Sequence, residues 1–155
     1  MQNKITLSEI KAAQATLADM IAKFEANNVV EDMFPINIGF PQLNANEKWL
    51  GVVVSANGLK KEHIILLPED KDEINWQDAM QWAESIGGHL PDRVEQALLF
   101  KCLKDEFEEE AYWSCEELTS RTEWAWCQGF DNGYQDYDIK DFKLRARAVR
   151  RVSVI

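Results

Sequence analysis

The sequence predicts an α+β domain with an aromatic core, and three observations carry that expectation. Aromatic residues recur at close spacing from Tyr112 to Tyr137 around an Asp131-Asn132-Gly133 turn, the pattern of short antiparallel strands. Two stretches, near residues 76–86 and 92–107, combine helix-start signals with apolar stripes. A third stretch, Leu144–Arg151, is β-compatible and crowded with arginine.

The elements follow in order. Thr6 and Glu9 have capping-box spacing, and a helix is expected over residues 6–26. Leu7, Ile10, Leu17, Ile21 and Phe24 fall on a and d positions of a seven-residue repeat interrupted by Gln14. Two readings fit that stripe, an amphipathic helix lying on its own domain or a helix pairing two copies, and the second is the expectation: a homodimer through Leu7, Ile10, Leu17, Ile21 and Phe24. Residues 1–28 are taken as this helical segment, 29–48 as a connector punctuated by Pro35, Gly39 and Pro41, and 49–155 as the folded domain.

Trp49–Val54 and His63–Leu67 read as strands joined at Ala56-Asn57-Gly58 and buried on both faces, because both runs are almost wholly apolar. Pro68 to Asp72 is expected as a charged surface loop. Asn75 is an N-cap for a helix from Trp76 to Ile86 that ends at Gly87-Gly88. Asp92 and Glu95 form a second capping box, opening a helix to about Phe107 with Val94, Leu98, Cys102, Leu103 and Phe107 as its apolar residues.

Charge bounds the partners. The 155 residues carry a net charge of −10, and residues 92–142 alone hold 14 acids against 5 bases. An acidic body argues against nonspecific nucleic-acid or membrane binding. The last thirteen residues hold five bases and no acid, and are expected to pair internally with acids. No apolar run is long enough to span a bilayer, and residues 1–5 lack a signal-peptide core, so a cytoplasmic location is expected. Cys102, Cys115 and Cys127 fit reduced thiols better than a disulfide frame or a zinc site.

Trp76, Ala79, Trp82, the run Gly87–Glu95, Tyr112-Trp113-Ser114, Trp124–Trp126, Phe130, Gly133 and the closing Arg145–Arg151 form an ordered series. Over residues 49–152 this series resembles the bacterial and phage domain of unknown function also found at the C-terminus of a collagen-like adhesin. Asp92 and Cys115 depart from that pattern, where Thr and Ser are usual. The resemblance implies a C-type-lectin-like domain, similar also to the formylglycine-generating-enzyme fold. Two helices would flank a small twisted, mostly antiparallel sheet, with the helix at 6–26 added to it. Small stand-alone relatives look like phage and prophage products. The resemblance also implies that the Trp49–Val54 hairpin lies beside Arg145–Val152. Alternation along that strand puts Arg150 on an apolar face, where Glu95 is its expected partner. Glu95, Trp113, Trp124, Arg147 and Arg150 are thereby expected to be structural.

Catalytic constellations are thin. His63 and His89 have no neighbours at metal-ligand spacing, and Ser114 sits in no nucleophile elbow. Asp131, Asn132, Asp136 and Asp138 resemble a calcium cluster but lack the lectin signatures Glu-Pro-Asn and Trp-Asn-Asp, so a plain polar turn is expected, with no metal and no cofactor. The cysteines match no formylglycine-generating motif, and no enzyme is expected. Two function classes remain. One is a noncatalytic module that binds a protein, or less readily a glycan, of a bacterial host through Trp126, Asp131, Asn132, Tyr134, Asp136 and Tyr137. The other is an acidic anti-defence protein, an anti-CRISPR or nuclease inhibitor, that occupies a basic nucleic-acid channel.

Overall fold

The computed structural model describes residues 6–27 and 39–154. The chain divides into two compact units, Met1–Asn37 and Ile38–Ile155. In the first, helix α1 spans Leu7–Asn27, within a residue of the expected bounds. Leu7, Ile10, Leu17 and Ile21 are all exposed. The side chain of Phe24, residue 28 and residues 29–38 of the expected connector lie outside the described residues. Among the described residues no helix is long and apolar enough to cross a membrane.

The second unit is α+β. Strands β1 (Lys48–Val54) and β2 (Lys61–Ile74) precede helices α2 (Trp76–Ser85) and α3 (Arg93–Leu103). A 3-10 turn at Lys104–Glu106 leads to β3 (Ala111–Glu117), β4 (Trp124–Gly129), β5 (Gln135–Ile139) and β6 (Leu144–Ser153). The six strands form one sheet in the order β1-β2-β6-β3-β4-β5. Neighbours are antiparallel except β3 and β6, which run parallel and meet at Tyr112 and Arg145. The hairpin therefore lies beside the closing strand, through β2.

Local chemistry sets the helix bounds. The Asn75 side chain accepts from the Asp78 amide at 2.9 Å and starts α2. Gly87, at φ +81, closes it in a conformation that side chains resist. Gly88 is needed for close approach, since a Cβ there would meet Leu67 at 2.7 Å and the Val149 carbonyl at 2.9 Å. Asp92 and Glu95 complete a reciprocal capping box on α3, both bonds 2.8 Å.

Two apolar clusters fill the unit. Trp76, Ala79 and Ala83 of α2 pack with Trp113, Cys127, Ala146 and Ala148. Leu99 of α3 packs with Ile64, Leu66, Tyr112, Phe130 and Val149. Alternation along β6 thus sends its even-numbered residues toward α2 and its odd-numbered ones toward α3.

Four expectations are corrected. Residues 68–72 are not a loop: β2 continues to Ile74, pairing Asp70 with Arg147 and Lys71 with Ala146 across register shifts. Glu73, at φ 46, absorbs the second shift. β1 is half-buried rather than buried on both faces, because it is an edge strand. On α3, Val94 is 64% exposed and Leu98 and Cys102 also face out, whereas Glu95, Gln96 and Leu99 are buried. Burial of those polar side chains is offset by partners: Glu95 takes Arg151, and the Gln96 side-chain amide donates to the Tyr112 carbonyl at 2.9 Å, while Gln96 Oε1 has no hydrogen-bond partner among the described residues. Finally, residues 39–47 belong to the second unit as a strap, with Pro41 and Glu47 buried.

Candidate functional site

The β4–β5 hairpin forms one edge of the sheet and carries every residue proposed for recognition. Its register pairs Trp126 with Tyr137 and Cys127 with Asp136. Cross-strand partners share a face, so the hairpin has two different faces.

One face is aromatic. Tyr137 meets Trp126 edge-on at 5.4 Å and Trp124 at 5.8 Å. Guanidinium groups cover the indoles: Arg93 lies 3.6 Å from the Trp126 ring centre and Arg121 lies 5.5 Å from that of Trp124. Arg93 is itself held by Gln135, at 3.1 Å. Both indoles are therefore half-buried side chains with packed rings, not open platforms.

The other face is acidic. Asp136 and Asp138 stand beside Cys127, and with Asp131, Asn132, Tyr134 and Tyr137 they line an open groove of about 310 Å³ floored by Ala111, Gly129 and Leu144. Ala111 and Leu144 also floor an adjoining groove of about 280 Å³, lined by Asp72, Glu73, Glu110, Lys143 and Arg145. The two grooves are separate cavities that share those two residues. Tyr134 is 77% exposed at the rim of the first. The turn is held rigid from within, because Asn132 Oδ1 accepts the Tyr134 amide at 2.8 Å and Gly133 N–H donates to the Gly129 carbonyl at 2.8 Å.

Of the six residues proposed for binding, the structure brings Asp131, Asn132, Tyr134, Asp136 and Tyr137 to one groove. Trp126 does not line it; its indole packs under Arg93 and against the edge of Tyr137. Asp72, Glu73 and Glu110 were not anticipated as lining residues. The period-two spacing of Asp136 and Asp138 was a signal for the acidic face; nothing local pointed to the bulged end of β2.

The closing arginines are held by acids of the same chain. Arg145 bonds Asp70 and Glu110, each at 3.0 Å, and Asp70 also accepts the Tyr112 hydroxyl at 2.9 Å. Buried Arg147 donates to the carbonyls of Leu67 and Glu106 and lies over the Phe107 ring. The expected pairing of Arg150 with Glu95 is corrected. Arg150 forms a two-bond pair with Glu47, at 2.8 and 2.7 Å, and donates to the Gln42 carbonyl. Arg151 instead takes Glu95, at 2.8 and 2.9 Å. The cause is strand phase: Arg150 shares the parity of Ala148, while α3 and Glu95 lie on the Val149 side. The bonds from Arg150 hold Glu47 at a pKa of about 2.

Thiol and imidazole chemistry is disfavoured. Burial pushes Cys115 up to about 11 and Cys127 up to about 12, so both stay protonated near neutrality and are poor nucleophiles. Burial, followed by the charge of Arg151, pulls His89 below its usual range. Among the described residues no three His, Cys, Asp or Glu side chains gather as a metal-ligand set. Asp136 and Asp138 instead accept the amides of Tyr137 and Ile139, at 2.8 and 2.7 Å.

No family model matches the chain, and no curated protein matches it.

Proposed function

We propose that this chain is a noncatalytic protein-binding module of C-type-lectin-like type, and that it grips a basic partner with the acidic face of the β4–β5 hairpin. The observation that carries the reading is the groove beside the hairpin, which unites Asp131, Asp136 and Asp138 with exposed Tyr134 on a rigid turn. Charged side chains preset on a strand steer and register a complementary surface. Tyrosine adds contact area at low entropic cost. A protein fits better than a glycan. Sugar stacking requires open ring faces, and Trp126 is covered by Arg93 and met edge-on by Tyr137. The lectin-like reading is supported by α2 and α3 packing into separate clusters along a mixed sheet whose closing strand lies against the N-terminal hairpin.

The anti-defence reading is a special case, in which the basic surface is one that otherwise holds nucleic acid. Internal pairing of Arg145, Arg150 and Arg151 favours it, because those cations are held by acids of their own chain and the groove beside the hairpin is lined by Asp131, Asp136 and Asp138 with no base. The partner would then be a protein of a bacterial host and the site of action its cytosol.

The test is affinity capture from bacterial lysate with the full chain and with an Asp131→Lys/Asp136→Lys/Asp138→Lys variant. A partner held by the parent and released by the variant, at an unchanged melting midpoint, is the expected result. Equal capture by a folded variant would remove the acidic face from the account.

A further inference from the structure

The sheet has two outer edges, β1 and β5, and they are finished differently. On β5, the bonds Gly129 N–H to the Tyr134 carbonyl and Lys140 N–H to the Glu123 carbonyl bracket the ladder with β4. Alternation then turns the amides of Tyr137 and Ile139 outward, away from β4. Those are the two amides that Asp136 and Asp138 cap with their own carboxylates. This edge is closed to strand addition by the side chains that make its acidic face.

Among the described residues the β1 edge has no such caps. Ser55 N–H donates to the Lys60 carbonyl at 2.8 Å, and the rungs below it pair Val54 with Lys61, Val53 with Glu62, Val52 with His63 and Gly51 with Ile64. Ser55, Val53 and Gly51 therefore face β2, while the peptide groups of Val52 and Val54 face outward. Among the described residues nothing bonds those outward groups. Trp49–Val54 is an uncharged, β-prone run without proline, and Val54 is 48% exposed. An open edge of that composition is a template for another strand.

We propose that β1 pairs antiparallel with β1 of a second copy, about a two-fold axis near Val52, joining two six-stranded sheets into one. An uncharged, self-complementary run fits a second copy of itself, and charge selects this edge over β5. Two chains of net charge −10 repel, and the sheet order sets the acidic β5 hairpin at the edge farthest from β1. Joining at β1 keeps the two acidic hairpins as far apart as the sheet allows. The cations flanking the run are neutralised within their own chain, Lys48 by Glu106 at 3.1 Å and Lys60 by Glu62 at 2.9 Å. The contact itself is then uncharged and self-complementary, as a two-fold interface requires.

Sedimentation equilibrium of the full chain tests this. The parent is expected at twice its 17.9 kDa protomer mass. Val54→Lys, at an exposed site, is expected to run as a monomer with an unchanged circular dichroism spectrum, and Val52→Pro, which removes one outward donor, is expected to do the same. A Leu17→Glu/Ile21→Glu variant in α1 is expected to keep the parent mass. A monomeric parent at all concentrations, a Val54→Lys variant as dimeric as the parent, or loss of the dimer only on changing α1 would each overturn the proposal. If Val52→Pro fails to fold, Val54→Lys alone decides.

Discussion

Replacing Glu47 with glutamine removes one charge from the pair that ties the strap to β6. The Glu47 side chain is 3% exposed and accepts two bonds from Arg150 and two from Asn44. The bonds from Arg150, joined by those from Asn44, lower its pKa from 4.5 to about 2, which corresponds to at most about 3 kcal/mol at neutral pH. Loss of one partner of a buried ion pair costs a similar amount, about 3–5 kcal/mol. The folded pKa is depressed, so the stabilisation is full above the unfolded value of about 4.5 and is lost as pH falls toward 2. Urea unfolding at several pH values is the assay. The parent should exceed Glu47→Gln by about 3 kcal/mol at pH 7, and the gap should close between about pH 5 and pH 2. A gap below about 1 kcal/mol at pH 7, or one indifferent to pH across that interval, would refute the coupling between strap and sheet.

Trp113 is wholly buried with its indole N–H on the Ile74 carbonyl at 2.9 Å, so Trp113→Ala should cost about 3–5 kcal/mol; an unchanged melting midpoint would contradict its packing. Gly88→Ala should lower the midpoint clearly, because the new methyl meets a backbone carbonyl at 2.9 Å. Iodoacetamide should label Cys102 alone in the native chain and all three cysteines after denaturation; rapid native labelling of Cys115 or Cys127 would show that their thiols are neither buried nor protonated. Millimolar calcium should leave the midpoint unchanged, since Asp136 and Asp138 spend an oxygen each on their own backbone; a rise reversed by chelator would point to a calcium site.

Helix starts were legible because caps are local: Asn75 and the Asp92–Glu95 box each act within three residues, whereas α3 ends at Leu103, short of the expected Phe107. The aromatic hairpin was legible for the same reason, through its Asn132-Gly133 turn. What was not legible depended on phase. The partner of Arg150 follows from whether it shares parity with Ala148 or with Val149, and only the neighbouring strands decide that. The proposed site divided for a related reason, because Arg93 at the start of α3, distant in sequence, covers Trp126 and keeps it out of the groove. The outward Val94 and Leu98 stripe has a different origin. Arg151 and the Tyr112 carbonyl supply partners that let Glu95 and Gln96 turn inward, and those partners are 56 and 16 residues away in sequence.

The acidic face as a contact surface is tested most directly by zero-length carbodiimide coupling of the full chain in bacterial lysate, read by peptide mass spectrometry. The account predicts links from Asp131, Asp136 or Asp138 to lysines of a second protein, lost when sodium chloride screens the charges before coupling. Links arising mainly from acids away from the hairpin, such as Glu84 on α2 or Asp19 on α1, would contradict it.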